Sequence, residues 1–230
     1  MKLENSIVIV TGASSGIGLA TARLLAKDGA TVVLAARSAD KLQALATEVS
    51  NSLAIPTDLR KIDDIQRLVK TVKEKYGRID ILINDAGQGL MSVVEKIKID
   101  DYKAIMDLNV FAVLEMMQEV IPVMREQGGG MILNISSLVS KNYFPGLAAY
   151  ASTKYALNAI SLTARAELAK DNIIVSVFHP KMTATNFGVN SRGEKYVSSA
   201  GRPGMQVDTA EQVAEKIVEQ IKSGSAEEQM

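Results

Sequence analysis

The sequence predicts an α/β domain in which a parallel sheet is covered by helices on both faces. Short runs of consecutive apolar, β-branched residues recur along the 230-residue chain, as in strands that are buried on both faces. Amphipathic stretches of helical length separate these runs. No internal repeat, linker or low-complexity segment interrupts the alternation. This pattern indicates a single doubly wound domain that spans residues 1–230.

The first unit combines a strand, a glycine-rich turn and a helix. Residues 6–10 form a short apolar run, and residues 19–26 are rich in Leu and Ala. Between them, residues 11–18 read TGASSGIG. Glycine lets a ligand approach the backbone closely, and a helix N-terminus offers unpaired N–H groups to a diphosphate. The context predicts a Rossmann-type dinucleotide site, with contacts from Gly12, Ser14, Ser15, Gly16, Ile17 and Gly18.

The end of the second strand bears on the choice of cofactor. Residues 31–35 form this strand, and Ala36 and Arg37 follow it. In dinucleotide-binding folds an acidic residue near this point binds the ribose of NAD, whereas an arginine accommodates the 2′-phosphate of NADP. Ala36 is not acidic, and Arg37 carries a planar, permanently charged guanidinium. The sequence therefore favours NADP(H) over NAD(H), unless Arg37 only ends the strand in solvent.

The remaining elements continue the alternation. Apolar runs predict further strands at residues 53–56, 79–83, 131–135 and 173–178. Helices are predicted at residues 40–49, 62–72, 101–125, 150–170 and 208–222. The sheet should therefore contain six or at most seven strands. The polar, irregular residues 183–207 are interpreted as a substrate lid, and residues 223–230 as a frayed tail.

The composition excludes several kinds of function. Lys+Arg and Asp+Glu both number 26, so no basic surface is expected to bind nucleic acid or a membrane. Without cysteine and with only His179, disulfides are excluded and no metal site is expected. His179 is interpreted as a packing or hydrogen-bonding residue at a strand end. No apolar run approaches the ~18 residues of a membrane span, and no signal peptide is recognisable, so a cytoplasmic protein is expected.

Tyr150 and Lys154 form the candidate catalytic pair, because residues four apart lie on the same side of a helix. A free tyrosine has a pKa of about 10, which is too high for proton exchange near neutrality. A nearby ammonium should lower that pKa, which suits a general acid/base. Alternatively, a solvated helix face carries both residues by chance. The catalytic interpretation is favoured by other polar groups at predicted strand ends, where ligands of such folds bind: Arg37, Asp58, Asn84, Ser137 and the glycine turn.

From residue 6 to about residue 185 the chain resembles the short-chain dehydrogenase/reductase superfamily. Asn109 lies in the motif Leu-Asn-Val, and Ser137 precedes Tyr150 by thirteen residues. The resemblance implies a tetrad of Asn109, Ser137, Tyr150 and Lys154. Tyr150 would exchange the proton, Ser137 would bind the substrate oxygen, Asn109 would hold a relay water, and Lys154 would bind the nicotinamide ribose. Further implied cofactor contacts are Asp58 at the adenine, Leu59, Asn84, Asp85, Ala86, Gly87, Pro180, Thr183 and Thr185, besides Tyr150 and Lys154.

Three features depart from the family pattern. The usual Asn-Asn-Ala-Gly is Asn-Asp-Ala-Gly here, so Asp85 cannot supply an amide donor. The usual Pro-Gly after the sixth strand is Pro180-Lys181. No seventh strand with a Gly-Gly tail is recognisable, so a tetramer contact through such a tail is not expected. A homodimer formed through the long helices at 101–125 and 150–170 is expected instead.

The resemblance implies an NADP-dependent enzyme that interconverts a small carbonyl compound and its alcohol. A non-catalytic dinucleotide-binding sensor on the same fold is the alternative, although binding alone does not need an activated phenol. An epimerase or dehydratase would need a larger substrate domain, and a methyltransferase would not need the tetrad. The substrate itself is not selected by the apolar side chains of the predicted lid region, Met182, Phe187, Val189 and Tyr196.

Overall fold

Strands and helices alternate along the chain in a computed structural model that describes residues 1–194 and 207–230. The strands are β1 (Ile7–Thr11), β2 (Thr31–Ala36), β3 (Ser52–Pro56), β4 (Ile81–Asn84), β5 (Leu90–Met91), β6 (Gly130–Ile135), β7 (Ile173–His179), β8 (Arg192–Gly193) and β9 (Glu227–Gln229). The helices are α1 (Gly16–Lys27), α2 (Ala39–Glu48), α3 (Ile62–Tyr76), α4 (Ile99–Met106), α5 (Ala112–Glu126), α6 (Ala148–Leu168) and α7 (Ala210–Ser223). Within these two ranges, no helix combines the length and the apolarity that a bilayer crossing requires.

In the described part of the chain, seven strands form one parallel sheet in the order β3-β2-β1-β4-β6-β7-β9. The chain moves outward in one direction from β1 to β3 and in the other from β4 to β9. Between β1 and β4 the order reverses, and a crevice opens there beyond the carboxyl ends of the strands. The predicted Rossmann-type fold is therefore confirmed.

Two hydrophobic cores explain why the central strands are apolar throughout. In β1, Ile7 and Ile9 pack into one core with α3, α5 and α6. The alternate residues Val8 and Val10 pack into the other core with α1, α2 and α7. Successive side chains of a strand point to opposite faces, so a strand with helices on both sides needs an apolar residue at every position.

The chain terminus differs from the sequence prediction. Residues 223–230 were predicted to fray, but β9 pairs in parallel with β7, and Val177 is the partner of Glu227. Ser176 Oγ donates to the carbonyl oxygen of Ser225 over 2.7 Å. Sequence patterns missed this strand because its three residues, Glu-Glu-Gln, are polar and exposed. An edge strand of this kind is held by backbone hydrogen bonds and leaves no hydrophobic periodicity.

The helix predicted over residues 101–125 is continuous but not uniform. A π-helical turn over Asp107–Phe111 separates α4 from α5. Such turns widen a helix locally and occur frequently at functional sites. This turn contains Asn109, one of the predicted catalytic residues.

Candidate active site

The glycine turn between β1 and α1 is shaped to receive an anion. Gly12 and Gly16 have φ values of +71° and +57°, which favour glycine. A Cβ on Gly18 would lie 2.8 Å from the carbonyl oxygen of Gly12. Ser15, the N-cap of α1, makes no side-chain capping bond, and the first turn contains no acidic residue. The helix N-terminus can therefore donate to a diphosphate, and the residues present fit a dinucleotide.

Thr11 joins this turn to the loop after β4. Its Oγ1 accepts hydrogen bonds from the backbone N–H of Asp85 at 3.1 Å and of Ala86 at 3.2 Å. A Cβ on Gly12 would lie 2.9 Å from the nitrogen of Ala86. The glycine turn and the loop after β4 are thus held side by side at the crevice. Sequence reasoning did not single out Thr11, because its partners lie more than 70 residues away.

Two predicted cofactor contacts have side chains that are engaged inside the protein. Asn84 is buried, and its Nδ2 donates to Asn134 Oδ1 on the neighbouring strand over 2.8 Å. Leu59 is buried in the core beside α3. A contact from either residue to a dinucleotide would therefore use its backbone.

Charged residues collect at the ends of β2 and β3. Arg37 is exposed just beyond β2. The Asp58 carboxylate accepts two hydrogen bonds from the guanidinium of Arg60, at 3.0 and 2.8 Å. The hydrogen bond from Arg60 lowers the pKa of Asp58 to about 2, and the positive charge of Arg37 acts in the same direction. Two guanidinium groups therefore stand close to one carboxylate, and Arg60 was not recognised in the sequence.

The three central catalytic candidates meet at the carboxyl end of β6. Tyr150 and Lys154 are 9% and 5% exposed on α6, and Lys154 Nζ lies 5.9 Å from the centre of the Tyr150 ring. The Lys154 ammonium donates to the carbonyl oxygen of Ile135 over 2.8 Å. Ser137, which follows β6, lies close enough to the Tyr150 hydroxyl to lower the pKa of the phenol. The predicted pairing of Tyr150 with Lys154 on one side of the helix is thus seen in the structure.

The side chain of Asn109 holds the site together. Its Oδ1 accepts from the backbone N–H of Gln88 over 2.9 Å, and its Nδ2 donates to the Gln88 carbonyl oxygen over 2.9 Å. Nδ2 also donates to Thr153 Oγ1 on α6 over 3.1 Å. All three bonds are internal, so the side chain fastens the loop after β4 to α6. The relay water predicted for Asn109 remains a prediction.

The electrostatics of the pair differ from the sequence prediction. Burial raises the pKa of Tyr150, the hydrogen bond with Ser137 lowers it, and the charge of Asp85 raises it further. Burial also lowers the pKa of Lys154 to about 8, against the opposing effect of Asp85. The predicted lowering of the phenol pKa is therefore wrong for this structure. Burial disfavours the phenolate and the ammonium alike. The approach of the Asp85 carboxylate to both groups is a tertiary contact that the spacing of Tyr150 and Lys154 does not reveal.

The segment after β7 passes over the crevice. The Phe187 ring lies 5.5 Å from the Tyr150 ring at a tilt of 52°. Thr185 Cγ2 would lie 3.2 Å from a Cβ on Gly16. A cavity of about 430 Å³ beside the glycine turn is lined in part by Gly16, Thr185 and Asn186. The segment predicted to be a lid therefore starts beside Tyr150, but residues 195–206, including Tyr196, lie outside the described residues.

The other predicted contacts in this segment are held by backbone bonds. The carbonyl oxygen of the buried Pro180 accepts from Leu138 N over 3.1 Å, beside the Ser137 loop. Thr183 forms a parallel bridge with Asp208, at the far end of the predicted lid. Thr183 Oγ1 donates to the carbonyl oxygen of Lys181 over 3.0 Å.

Two polar groups that support the site span long sequence distances. Arg192 of β8 donates to Gln88 Oε1 over 2.9 Å and to Asp101 Oδ1 over 2.8 Å. His179 lies 3.0 Å from Glu227 of β9 through Nε2 and 3.3 Å from Ser140 Oγ through Nδ1. His179 is therefore the hydrogen-bonding residue predicted at the strand end. No sequence pattern signalled the Arg192 contacts, whose partners lie 104 and 91 positions away.

Known proteins resemble this chain in sequence and in fold. Residues 6–195 match a family model described as short chain dehydrogenase. An uncharacterised oxidoreductase of Staphylococcus saprophyticus is 39% identical over 188 residues, which cover 80% of this chain and 76% of the relative. An uncharacterised oxidoreductase of Staphylococcus aureus is 36% identical over 185 residues, 80% of each chain.

Two solved structures extend the similarity to nearly the whole chain. A 3-ketoacyl-(acyl-carrier-protein) reductase of Brucella melitensis, complexed with NADH, has a TM-score of 0.89 at 26% identity and covers 99% of this chain and 98% of its own. An alcohol dehydrogenase of Thermococcus sibiricus, complexed with 5-hydroxy-NADP, has a TM-score of 0.85 at 26% identity, with coverages of 99% and 95%. With the crevice, the glycine turn and the serine, tyrosine and lysine already in place, these matches show that the chain belongs to the short-chain dehydrogenase family of oxidoreductases, a family that implies a nicotinamide dinucleotide cofactor.

Proposed function

We propose that this protein is an NADP(H)-dependent enzyme that interconverts a small carbonyl compound and its alcohol. The observation that carries the proposal is the clustering of three side chains, with Ser137 beside the Tyr150 hydroxyl and Lys154 Nζ 5.9 Å from the tyrosine ring. This group lies at the sheet edge where dinucleotides bind in such folds. A protein that only binds a dinucleotide has no need of such a group.

The Tyr150 hydroxyl transfers the proton, and the Ser137 hydroxyl binds the substrate oxygen. When bound, the cofactor supplies the hydride chemistry. In reduction, Ser137 donates a hydrogen bond to the substrate oxygen as negative charge develops there, and Tyr150 delivers the proton. Because burial raises the pKa of Tyr150, the phenol is protonated at neutral pH and ready to donate. In alcohol oxidation the same oxygen accepts the proton.

Lys154 orients the cofactor and exchanges protons with its surroundings. Its ammonium has three N–H donors, of which one is directed to Ile135, so two can serve the hydroxyls of a ribose. Burial lowers the pKa of Lys154 to about 8. The amine can therefore gain or lose a proton near neutral pH during turnover.

The NADP preference is supported by Arg37. Its guanidinium is exposed beyond β2, next to the non-acidic Ala36, and among the described residues it makes no hydrogen bond that would hold it away from a 2′-phosphate. Arg60 adds a second positive charge nearby, although its side chain is bound to Asp58. Planar, charged forks of this kind bind phosphate groups well.

The double substitution Ala36→Asp with Arg37→Ala tests this preference. The variant should lose a phosphate-binding cation and gain an acid for the ribose hydroxyls. We expect the ratio of kcat/KM for NADPH to that for NADH to fall roughly 100-fold or more, about 2.7 kcal/mol of differential binding. Arg125→Ala serves as the control, because Arg125 forms an exposed ion pair with Asp171 away from the crevice. An unchanged ratio in the double variant would remove Arg37 from the cofactor site.

The proposed reaction is tested directly with a panel of aldehydes, ketones and keto acids, followed by the absorbance of NADPH. Reduction of at least one class is expected, with loss of absorbance in proportion to product. If NADPH binds and no class is reduced, the alternative of a non-catalytic sensor is favoured. If neither NADPH nor NADH binds, the proposed function fails.

A homodimer formed through α4, α5 and α6 is part of the proposal. Phe111, at the start of this helical surface, is 51% exposed, and Tyr155 on α6 is 37% exposed. The Tyr155 ring stacks on that of Tyr143 at 6.1 Å. Exposed aromatic residues of this kind are enriched at interfaces. Light scattering of the purified protein is expected to give twice the 24.7 kDa chain mass, and a monomeric mass would refute the dimer.

A further inference from the structure

Asp85 places a carboxylate against the glycine turn. Its Oδ2 would lie 2.7 Å from a Cβ on Gly18 and 3.1 Å from one on Gly12. The backbone N–H of Gly18 lies close enough to the carboxylate to lower its pKa. The main chain of Asp85 is itself held, because its N–H donates to Thr11 Oγ1 over 3.1 Å. The acid is therefore fixed beside the anion-binding turn.

The Asp85 carboxylate and the diphosphate of the cofactor compete for the same positive N-terminus of α1. Gly18 belongs to the first turn of α1, where N–H groups have no partner within the helix and attract negative charge. Asp85 lies against this first turn and adds a negative charge of its own. A dinucleotide brings a negatively charged diphosphate to the same turn. An ionised Asp85 would repel it, whereas a protonated Asp85 would not.

Few charged groups can offset Asp85. Among residues 1–194 and 207–230, those that face it are Lys154, which attracts its charge, and Tyr150, whose own pKa it raises. Both belong to α6. The glycine turn, residues 11–18, contains no ionisable side chain, and residues 84–88 contain none other than Asp85. Burial raises the pKa of Asp85 to about 7, and Lys154 acts against that rise. The carboxylate therefore changes charge near neutral pH.

We infer that Asp85 couples dinucleotide binding to the uptake of a proton, so that the affinity for the cofactor falls as the pH rises above neutrality. The inference rests on the proposed function, because it requires a dinucleotide at the glycine turn. No bond to carbon is made or broken. A proton from solvent binds the carboxylate as the diphosphate approaches, and it is returned when the cofactor leaves.

Titration calorimetry tests this coupling in the cofactor-free protein. NADPH and NADH are each titrated at pH 8 in buffers that differ in ionisation enthalpy, so that the buffer dependence of the heat counts the protons taken up. The parent should take up close to one proton more than Asp85→Asn. The parent dissociation constant should rise roughly tenfold between pH 7 and pH 8.5, while that of Asp85→Asn should change less than about threefold.

Three comparisons assign the proton to Asp85. NADH lacks the 2′-phosphate, so proton uptake with NADH shows that the 2′-phosphate is not the group that binds the proton. Lys154→Met is titrated at pH 9 and at higher cofactor concentration, because loss of the ammonium raises the pKa of Asp85 further and removes a ribose contact. It should still take up the proton, which excludes the amine. Asp28→Asn should behave like the parent, because Asp28 pairs with Lys222 at the end of α1 remote from the turn. Asp85→Ser repeats the measurement should the asparagine variant fold poorly.

The outcomes separate this inference from the proposed function. Equal proton uptake by the parent and by both Asp85 variants would overturn the coupling, even if the cofactor binds well. Uptake that disappears in Lys154→Met but persists in the Asp85 variants would assign the proton to the lysine and would also overturn it. Failure of both dinucleotides to bind the parent would instead refute the proposed function.

Discussion

Tyr150→Phe is expected to lower kcat for carbonyl reduction by roughly 100- to 10,000-fold, the usual contribution of a positioned general acid. The substitution removes the hydroxyl beside Ser137 and keeps the buried ring, which packs against Phe187. The affinity for NADPH should change less than about threefold, because no cation or helix N-terminus is altered. Steady-state kinetics and a separate fluorescence titration of NADPH measure the two effects.

Tyr155→Phe is the matched control for this substitution. Tyr155 lies on the same helix, but its ring is partly exposed and stacks on Tyr143. Its loss of a hydroxyl should leave kcat within about twofold of the parent, since exposed substitutions remote from the site have small effects. Comparable turnover by Tyr150→Phe and Tyr155→Phe would exclude Tyr150 as the proton donor.

Asp85→Asn is expected to raise the free energy of unfolding by about 2 kcal/mol at pH 8 and by much less at pH 5. Burial raises the pKa of Asp85 from 3.8 to about 7. Well below pH 4, Asp85 is protonated in both the folded and the unfolded protein, so its raised pKa does not change the free energy of unfolding. Stability is lost as the pH rises from about 4 to 7, and the cost is complete above the folded pKa. Replacing the acid with a neutral amide removes that cost.

The expected gain is smaller than the pKa change alone would give. Three pKa units correspond to about 4 kcal/mol. Asp85 is only half-buried, and solvent screens part of the effect. The attraction between Asp85 and Lys154 is already included in the pKa of about 7 and needs no further correction. Urea denaturation of the cofactor-free protein at pH 5, 6.5 and 8 measures the gain.

Asp28→Asn provides the stability control. Its carboxylate lies 2.9 Å from Lys222 Nζ in a surface ion pair, so the change should stay within about 1 kcal/mol at every pH. A gain for Asp85→Asn that is equal at pH 5 and pH 8 would show that the ionised carboxylate is not the cause. A loss of stability caused by ionised Asp85, beside the proposed cofactor-binding turn, would be an example of a functional site that lowers the stability of the fold.

Local sequence patterns predicted most of the fold. A β-branched run such as residues 7–10 and the glycines of residues 11–18 encode their structure within a few positions, so they could be recognised without a partner. Strand β9 could not, because Glu227, Glu228 and Gln229 are held at the sheet edge by backbone bonds to β7. The same holds for Arg192, whose partners Gln88 and Asp101 are brought to it only by the folded chain.

The sequence by itself determined the helices and the central strands of the sheet, the glycine turn, and the placement of Ser137, Tyr150 and Lys154 at the carboxyl ends of the strands. These follow from residue type and spacing, which are local. Only the tertiary structure decided the charges of these groups. A pKa depends on burial and on charges that approach through space, and Asp85 reaches Lys154 across 69 positions of sequence. For that reason Tyr150 could be proposed as the proton donor from the sequence, whereas the direction of its pKa shift could not be predicted.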